Sequence, residues 1–467
     1  MNSLLRRLIA WSVLLVASMT ASTVAGAQGA APTTAFSTYA QRLARAYSRL
    51  GNDLLIIRSR WALAGATDAA FDQEPSFFYF TGDERLLGAV LVIDGATRRA
   101  ELFVPNLPPP LRLFAPSQAG PAGLSPSSVH VDHVSDWNAF ASYVDDRLSH
   151  DPRPTIYVDD GGYAGGLAGA LGTPFDRTTL GNPWLVWRRS IQQRWPNAAV
   201  QSGGAIISQV RAVKDSGEIG TLRQVAAASA VAWVAGLHRV APGRRQREVE
   251  AAVVEACVRN GGDVSFWPWA MSGPNSAFPT PFTSFDDPRH LDRAMQAGDV
   301  VRLDIGCQVD HYQGDVGRTV PVSGAFSAGQ AEVVDLLVAA YRAGLGVLRD
   351  GATVSDVIRA SVAEVARRQP ALRTSLGRDA AAVITRPDGI PFWQLHGIGL
   401  DPAEGLPDTL HAGMTMDYEP IFVVGDQGFY MEDMILVTPA GFEILTTGLP
   451  YTAAEIERAM RPRGNRE

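Results

Sequence analysis

The chain has 467 residues, 46% hydrophobic and 19% charged, which fits a globular protein of more than one domain and excludes wholesale disorder. The formal charge is −7, and Lys214 is the single lysine among 41 basic residues. No basic block or basic–aromatic stripe occurs, which argues against nucleic acid as a partner. Residues 1–27 read as a cleavable secretion signal. Arg6 and Arg7 give its positive start, Leu8 to Ala17 its apolar stretch, and Ala25-Gly26-Ala27 a small-residue cleavage site before Gln28. The mature chain is therefore expected in the periplasm or outside the cell, by the general or the twin-arginine route. The apolar stretch is shorter than the roughly 20 residues of a membrane span, so no stable membrane insertion is expected.

Residues 28–205 read as a first, smaller α/β domain. A polar lead runs into a helix before Leu50, and short β runs follow: LLII at 54–57, GAVLVID at 88–94, AELFV at 100–104 and TIYV at 155–158. NLPPPLRLF with the PSQAGPAGLSPSS that follows reads as an exposed Pro/Gly/Ser-rich loop. Near 205 the pattern changes. Asp215 and Glu218 form a capping box for a long helix, a second helix covers about 247–259, Ser327 and Gln330 cap a third, and a fourth covers about 355–367. Strands between them predict an α+β second domain over 206–455, with helices segregated on one side of a sheet and a polar tail at 456–467. Cys257 and Cys307 are the two cysteines, and the sequence leaves open whether they pair or stay as buried thiols.

Chemistry concentrates in the last third of the chain. Asp304 ends VVRLDIG, Asp315 follows eleven positions later, Glu419 lies in MDYEPIFVV, and Glu432 follows thirteen positions after that in MEDMILVT. Carboxylates in apolar strand-like runs are costly unless paired or bound to a metal, and no lysine lies near them in sequence. Two divalent cations would supply the four opposing charges. Folding each segment back on itself puts its two acids side by side, and two such hairpins meeting face to face would gather all four, with His396 in LHGIGL adding a nitrogen ligand.

The stretches GDVVRLDIG, DVGRTVPVSG, HGIGL, GMTMDYEP and MEDMILVTPAG, in this order, resemble the pita-bread metallopeptidases (methionine aminopeptidase, aminopeptidase P and prolidase, with creatinase as a non-peptidase cousin). EPSFFYFTGDERLLGAVLVIDG and AELFVP resemble the amino-terminal domain of aminopeptidase P. The resemblance implies a pita-bread catalytic domain behind a smaller α/β domain. It also implies Asp304, Asp315, His396, Glu419 and Glu432 as the metal ligands, and an aminopeptidase cutting Xaa-Pro or similar bonds at peptide N-termini through a hydroxide shared by two metals. Glu419 would double as the base that shuttles the water proton. Oxygen-rich ligation with one imidazole suits Mn²⁺, with Zn²⁺, Co²⁺ or Fe²⁺ as alternatives. Arg318 and Thr319 are expected to orient the carboxylates. Related enzymes assemble as dimers or larger, so a homo-oligomer is an expected arrangement.

The departures from the family pattern matter too. Histidines that hold substrate and stabilise the oxyanion are replaced by Thr280, Phe392 and Ala403, and an arginine common two positions before the last ligand is Tyr430. His311, between the first two acids, and Tyr430 are therefore candidate substitutes facing the cleft. The aromatic run FWPW at 266–269, with Phe278, Phe282 and Phe285, could line a substrate pocket or a core. The departures keep two alternatives open: a creatinase- or lyase-like enzyme for a small non-peptide substrate, or a weak pseudo-peptidase that binds a peptide or partner. Gly-Gly-Tyr-Ala-Gly-Gly lacks dinucleotide-binding spacing, and Gly-Ala-Phe-Ser-Ala-Gly misses the nucleophile-elbow pattern.

Overall fold

A computed structural model describes residues 33–60, 73–107, 120–150, 152–161, 183–277, 292–386 and 392–461. The signal segment, most of the Pro-rich loop, the Gly-Gly-Tyr-Ala-Gly-Gly turn after its first glycine, and Thr280 with the phenylalanines at 278, 282 and 285 lie outside the described residues.

The first half is a mixed sheet with helices around it. α1 (Thr33–Leu50) leads into β1 (Leu54–Arg58), followed by α2 (Pro75–Thr81), β2 (Val90–Asp94), β3 (Arg99–Val104), β4 (His133–Asp136), α3 (Ala139–Leu148), β5 (Ile156–Val158), α4 (Pro183–Arg194) and β6 (Val200–Ser202). The strand order is β4-β3-β2-β1-β5-β6. Both faces of β1 and β2 are buried, which is why these runs are continuously apolar. Side chains alternate: Leu54, Ile56, Val90 and Val92 pack with Phe140 and Trp187, whereas Leu55, Ile57, Leu91 and Ile93 pack with Leu43 and Phe77.

The second half begins with α5 (Gly204–Ala212), α6 (Ser216–Leu237), α7 (Gln246–Arg259), β7 (Asp263–Val264) and β8 (Trp269–Ser272). It continues with β9 (Val300–Ile305), β10 (Cys307–Val309), β11 (Tyr312–Gln313), β12 (Val316–Pro321), α8 (Ala328–Leu345), α9 (Val354–Arg368) and α10 (Ser375–Ile384). It closes with β13 (Phe392–Gly397), β14 (Thr415–Val424), β15 (Gln427–Thr438), β16 (Gly441–Ile444) and α11 (Ala453–Met460). The main sheet runs β13-β14-β15-β12-β9-β8, with β16 on β15, and every pairing in it is antiparallel. Both predicted capping boxes form, at Asp215/Glu218 and Ser327/Gln330. α10 carries no sequence signal used above, and the predicted polar tail from 456 starts inside α11, where Ile456 is buried. Among the described residues no helix is long and apolar enough to cross a membrane.

Two connections fix the site's surroundings. Cys257 of α7 and Cys307 of β10 form a disulfide, which resolves the open cysteine question. α5, although it follows the predicted boundary at 205, packs with the first half: Ile207 and Val210 share a core with Leu43 and Phe77, and that core also takes in Leu222, Ile398 and Met434.

From α5, Arg211 reaches Glu404, and Lys214 Nζ donates to the same carboxylate at 2.8 Å. Glu404 in turn accepts from the Leu400 amide at 3.0 Å, shaping the turn that leaves β13. Burial would raise the Glu404 carboxyl, but Arg211 and Lys214 hold it at about 2, below the ordinary 4.5. A depressed carboxylate stabilises the fold fully above its unfolded value and loses that contribution as pH falls towards its folded value. The stability gap between wild type and Glu404→Gln is therefore expected to be widest above pH 4.5. It should narrow by about 3 kcal/mol as the pH drops towards 2, as read by denaturant unfolding across that range.

Candidate metal centre

Strand alternation aims the site. Val301, Leu303 and Ile305 of β9 point into the helix-covered core, so Arg302 and Asp304 share the opposite face. In β12, Gly317 pairs with Asp304 on one side and with Glu432 of β15 on the other. β14 and β15 form the expected hairpin, turning at Gly425-Asp426 with Gly425 at φ 64°, a left-handed conformation that suits glycine. In the next strand, His396 lies opposite Asp417 and Gln394 opposite Glu419. The two hairpins thus join edge to edge in one sheet, not face to face as expected. The segment between Asp304 and Asp315 also detours through a small sheet of β11, β10 and β7 before returning.

All five predicted residues converge. Asp304 and Glu432 flank Gly317 on either side of β12, and His396 Nε2 lies 3.5 Å from Glu419 Oε2 and 3.9 Å from Glu432 Oε1. One ligand atom each from Asp315, His396, Asp417 and Glu432 lies within 4.8 Å of the others. Burial, partly offset by Arg302, raises Asp304 to about 6. Burial first, then neighbouring carboxylates, pushes Asp315, Asp417, Glu419 and Glu432 well above the usual range. Asp315 Oδ1, Glu432 Oε1 and both oxygens of Asp417 are buried without a hydrogen-bond partner among the described residues. Bare carboxylate oxygens at this depth cost several kcal/mol unless cations take them, so this oxygen-rich set with one imidazole fits divalent metal ions.

The expected helpers divide. Arg318 is buried on the helix side of the sheet, where it forks onto Asp433 at 2.8 and 3.0 Å and donates to the Glu432 carbonyl. It braces the backbone of a ligand-bearing strand and does not touch the ligand carboxylates. Thr319 Oγ1 accepts from the Tyr430 amide at 2.8 Å, tying β12 to β15. Tyr430 lies among the acids and donates its hydroxyl to Glu432 Oε2. His311 does not join them: its ring packs on Phe78 at 4.3 Å, and its Nε2 lies 3.6 Å from Glu84 of the first half. Trp267, from the aromatic run, is half-exposed and donates to Glu250 at 2.9 Å.

The sequence reading missed two residues. Asp417 precedes Glu419 by two positions, so strand alternation alone would have placed it on the ligand face. Arg302 stands two positions before Asp304 by the same rule. Where the family pattern has an arginine at position 430, this chain brings a guanidinium from β9 to 5.8 Å from the Tyr430 ring centroid.

Tyr430 reaches Glu432 because Gly317 has no side chain. A Cβ there would overlap the ring and stand 2.6 Å from its hydroxyl. Gly317→Ala should displace Tyr430 and cost about 1–3 kcal/mol, with Tyr430→Ala in the same chain recovering much of the loss in thermal unfolding.

Residues 220–439 match the model of metallopeptidase family M24, and residues 39–157 match that of the aminopeptidase P N-terminal domain. A Xaa-Pro aminopeptidase of Haemophilus influenzae is 26% identical over 277 residues, covering 55% of this chain and 62% of that protein. Xaa-Pro aminopeptidase 1 of Streptomyces coelicolor is 30% identical over 281 residues, covering 54% of this chain and 55% of that protein. The chain thus spans less than two thirds of the length of these curated relatives. Zinc-substituted Escherichia coli aminopeptidase P, solved in complex with product, superposes with a TM-score of 0.68 at 22% identity, covering 91% of this chain and 98% of that one. Proline aminopeptidase P II of Yersinia pestis gives 0.69 at 21% identity, covering 91% and 99%. With a pita-bread fold and both family domains matched in the expected order, the chain belongs to the aminopeptidase P/prolidase-like metallopeptidases.

Proposed function

We propose that this chain is an exported, metal-dependent aminopeptidase that removes the N-terminal residue from peptides of the Xaa-Pro type. The observation that carries the reading is the convergence of Asp304, Asp315, His396, Glu419 and Glu432, with Asp315 Oδ1 and Glu432 Oε1 buried and without a hydrogen-bond partner among the described residues. These five residues would hold two divalent ions, Mn²⁺ first by the preference of oxygen-rich sites. Such ions, when bound, polarise a scissile carbonyl and acidify water. Glu419 would accept a proton from the attacking water and return it to the departing amine. Tyr430 holds Glu432 by its hydroxyl, and Arg318 with Asp433 fixes the strand beneath. Export is supported by the N-terminal segment and by the disulfide, a bond that persists in oxidising compartments.

The test uses the mature chain from Gln28, loaded with Mn²⁺ or Zn²⁺ and assayed against Xaa-Pro and Xaa-Ala peptides alongside metal stoichiometry. Release of the residue before proline, abolished by chelation and restored by metal, is the expected result. A folded chain that binds no metal would overturn the reading. Two bound metals without cleavage of any peptide would sink the peptidase assignment and favour a small non-peptide substrate.

A further inference from the structure

We infer that Asp417 is a sixth metal-ligating residue of this centre. The inference rests on the metalloenzyme reading above and adds to it. Asp417 is fully buried, and neither carboxylate oxygen has a hydrogen-bond partner among the described residues. Its position on β14 sets it opposite His396, and a ligand atom of Asp417 lies within 4.8 Å of those of Asp315, His396 and Glu432.

The bland alternative is that Asp417 only orients the imidazole. The geometry speaks against it. Asp417 Oδ2 is 4.0 Å from His396 Nδ1, too far for a hydrogen bond, and Nδ1 has the Gly397 carbonyl at 3.1 Å instead. A carboxylate held bare at this depth, facing three other ligand atoms, is placed as a ligand is placed.

Arg302 completes the argument. It is fully buried, its Nε and Nη1 lack partners among the described residues, and Nη2 donates only to Met271 Sδ at 3.2 Å. A guanidinium normally enters a core to form a fork with a carboxylate. This one forms no such fork, yet it shares a strand face with Asp304 and feels the charges of Asp304, Glu419 and Glu432. The charges account for it. Two divalent ions offset four carboxylates, Asp417 brings a fifth, and a buried guanidinium beside the cluster lessens the excess negative charge. Arg302 does so without occupying any ligand oxygen.

The experiment measures metal, not turnover. Metal-free full chain and its Asp417→Asn variant are dialysed against buffered Mn²⁺, with metal content and affinity measured. Both are then loaded with Co²⁺ and their visible spectra compared. Wild type should take up two ions. Asp417→Asn should bind at least one of them about 10–100-fold more weakly, with a changed Co²⁺ spectrum. Its metal-free form should melt no lower than wild type, since one of five mutually repelling carboxylates is gone. Asp417→Ser serves in its place should the asparagine variant not fold. Equal affinities and spectra would overturn the ligand assignment and leave the peptidase reading intact, whereas a wild type that binds no metal would defeat that reading itself.

Discussion

Replacing Glu419 by glutamine is expected to reduce kcat on a cleavable Xaa-Pro peptide by about 10²–10⁴-fold, the range of a lost general acid–base group. The substitution keeps size and shape on β14 but removes the proton acceptor that lies 3.5 Å from His396 Nε2. Burial and the Asp304 charge both raise this carboxyl, which suits a group that must hold a proton between two steps of one turnover. Because Glu419 would also bind metal, stoichiometry must be measured on the same sample. A fall in kcat with both ions retained points to proton transfer, and a fall that tracks lost metal points to ligation. Unchanged kcat with full metal content would end the case for Glu419 as the base.

The second large effect lies behind the sheet. Arg318→Met should cost about 3–5 kcal/mol in denaturant unfolding, because it leaves Asp433 buried without its cation. Asp433 also accepts from Tyr341 and Tyr451 at 3.0 Å and from Thr446 at 2.7 Å, and Arg318 donates to the Pro450 carbonyl at 3.0 Å. The network therefore ties β12 and β15 to α8 and to the chain before α11. Arg318→Met combined with Asp433→Leu should be less damaging than Arg318→Met alone, since no bare charge remains. Arg318→Lys should not rescue, because an ammonium cannot reproduce the fork. A cost below about 1 kcal/mol for Arg318→Met would show that the network does not hold the strands.

How far the sequence could be read follows from what each residue needs. Asp304, Asp315, His396, Glu419 and Glu432 stood out because charge in apolar strands demands an explanation. Asp417 belonged to the same puzzle but was hidden beside Glu419, and Arg302 was hidden inside VVRLDIG, where one charge in a strand looks incidental. Their importance depends on which strands become neighbours, and spacing within a hairpin does not encode that. The same blindness produced the face-to-face picture of the hairpins, since the β12–β15 pairing joins residues more than a hundred positions apart. His311 was drawn to the cleft by its place between two ligands, yet the detour through β10 and β11 carries it out to Phe78. α10 has a Thr374 cap and buried Ala380, Ala381 and Ile384, and its amphipathic pattern was legible in the sequence but went unread.

The disulfide bears on the order of events in the life of the chain. Cys257 and Cys307 are both fully buried, so no oxidant can reach either sulfur once the core has closed. In a protein exported as proposed, the bond must form while the polypeptide is still open on the far side of the membrane. Oxidation of the segment that follows Asp304 would then come before the finished centre binds any ion.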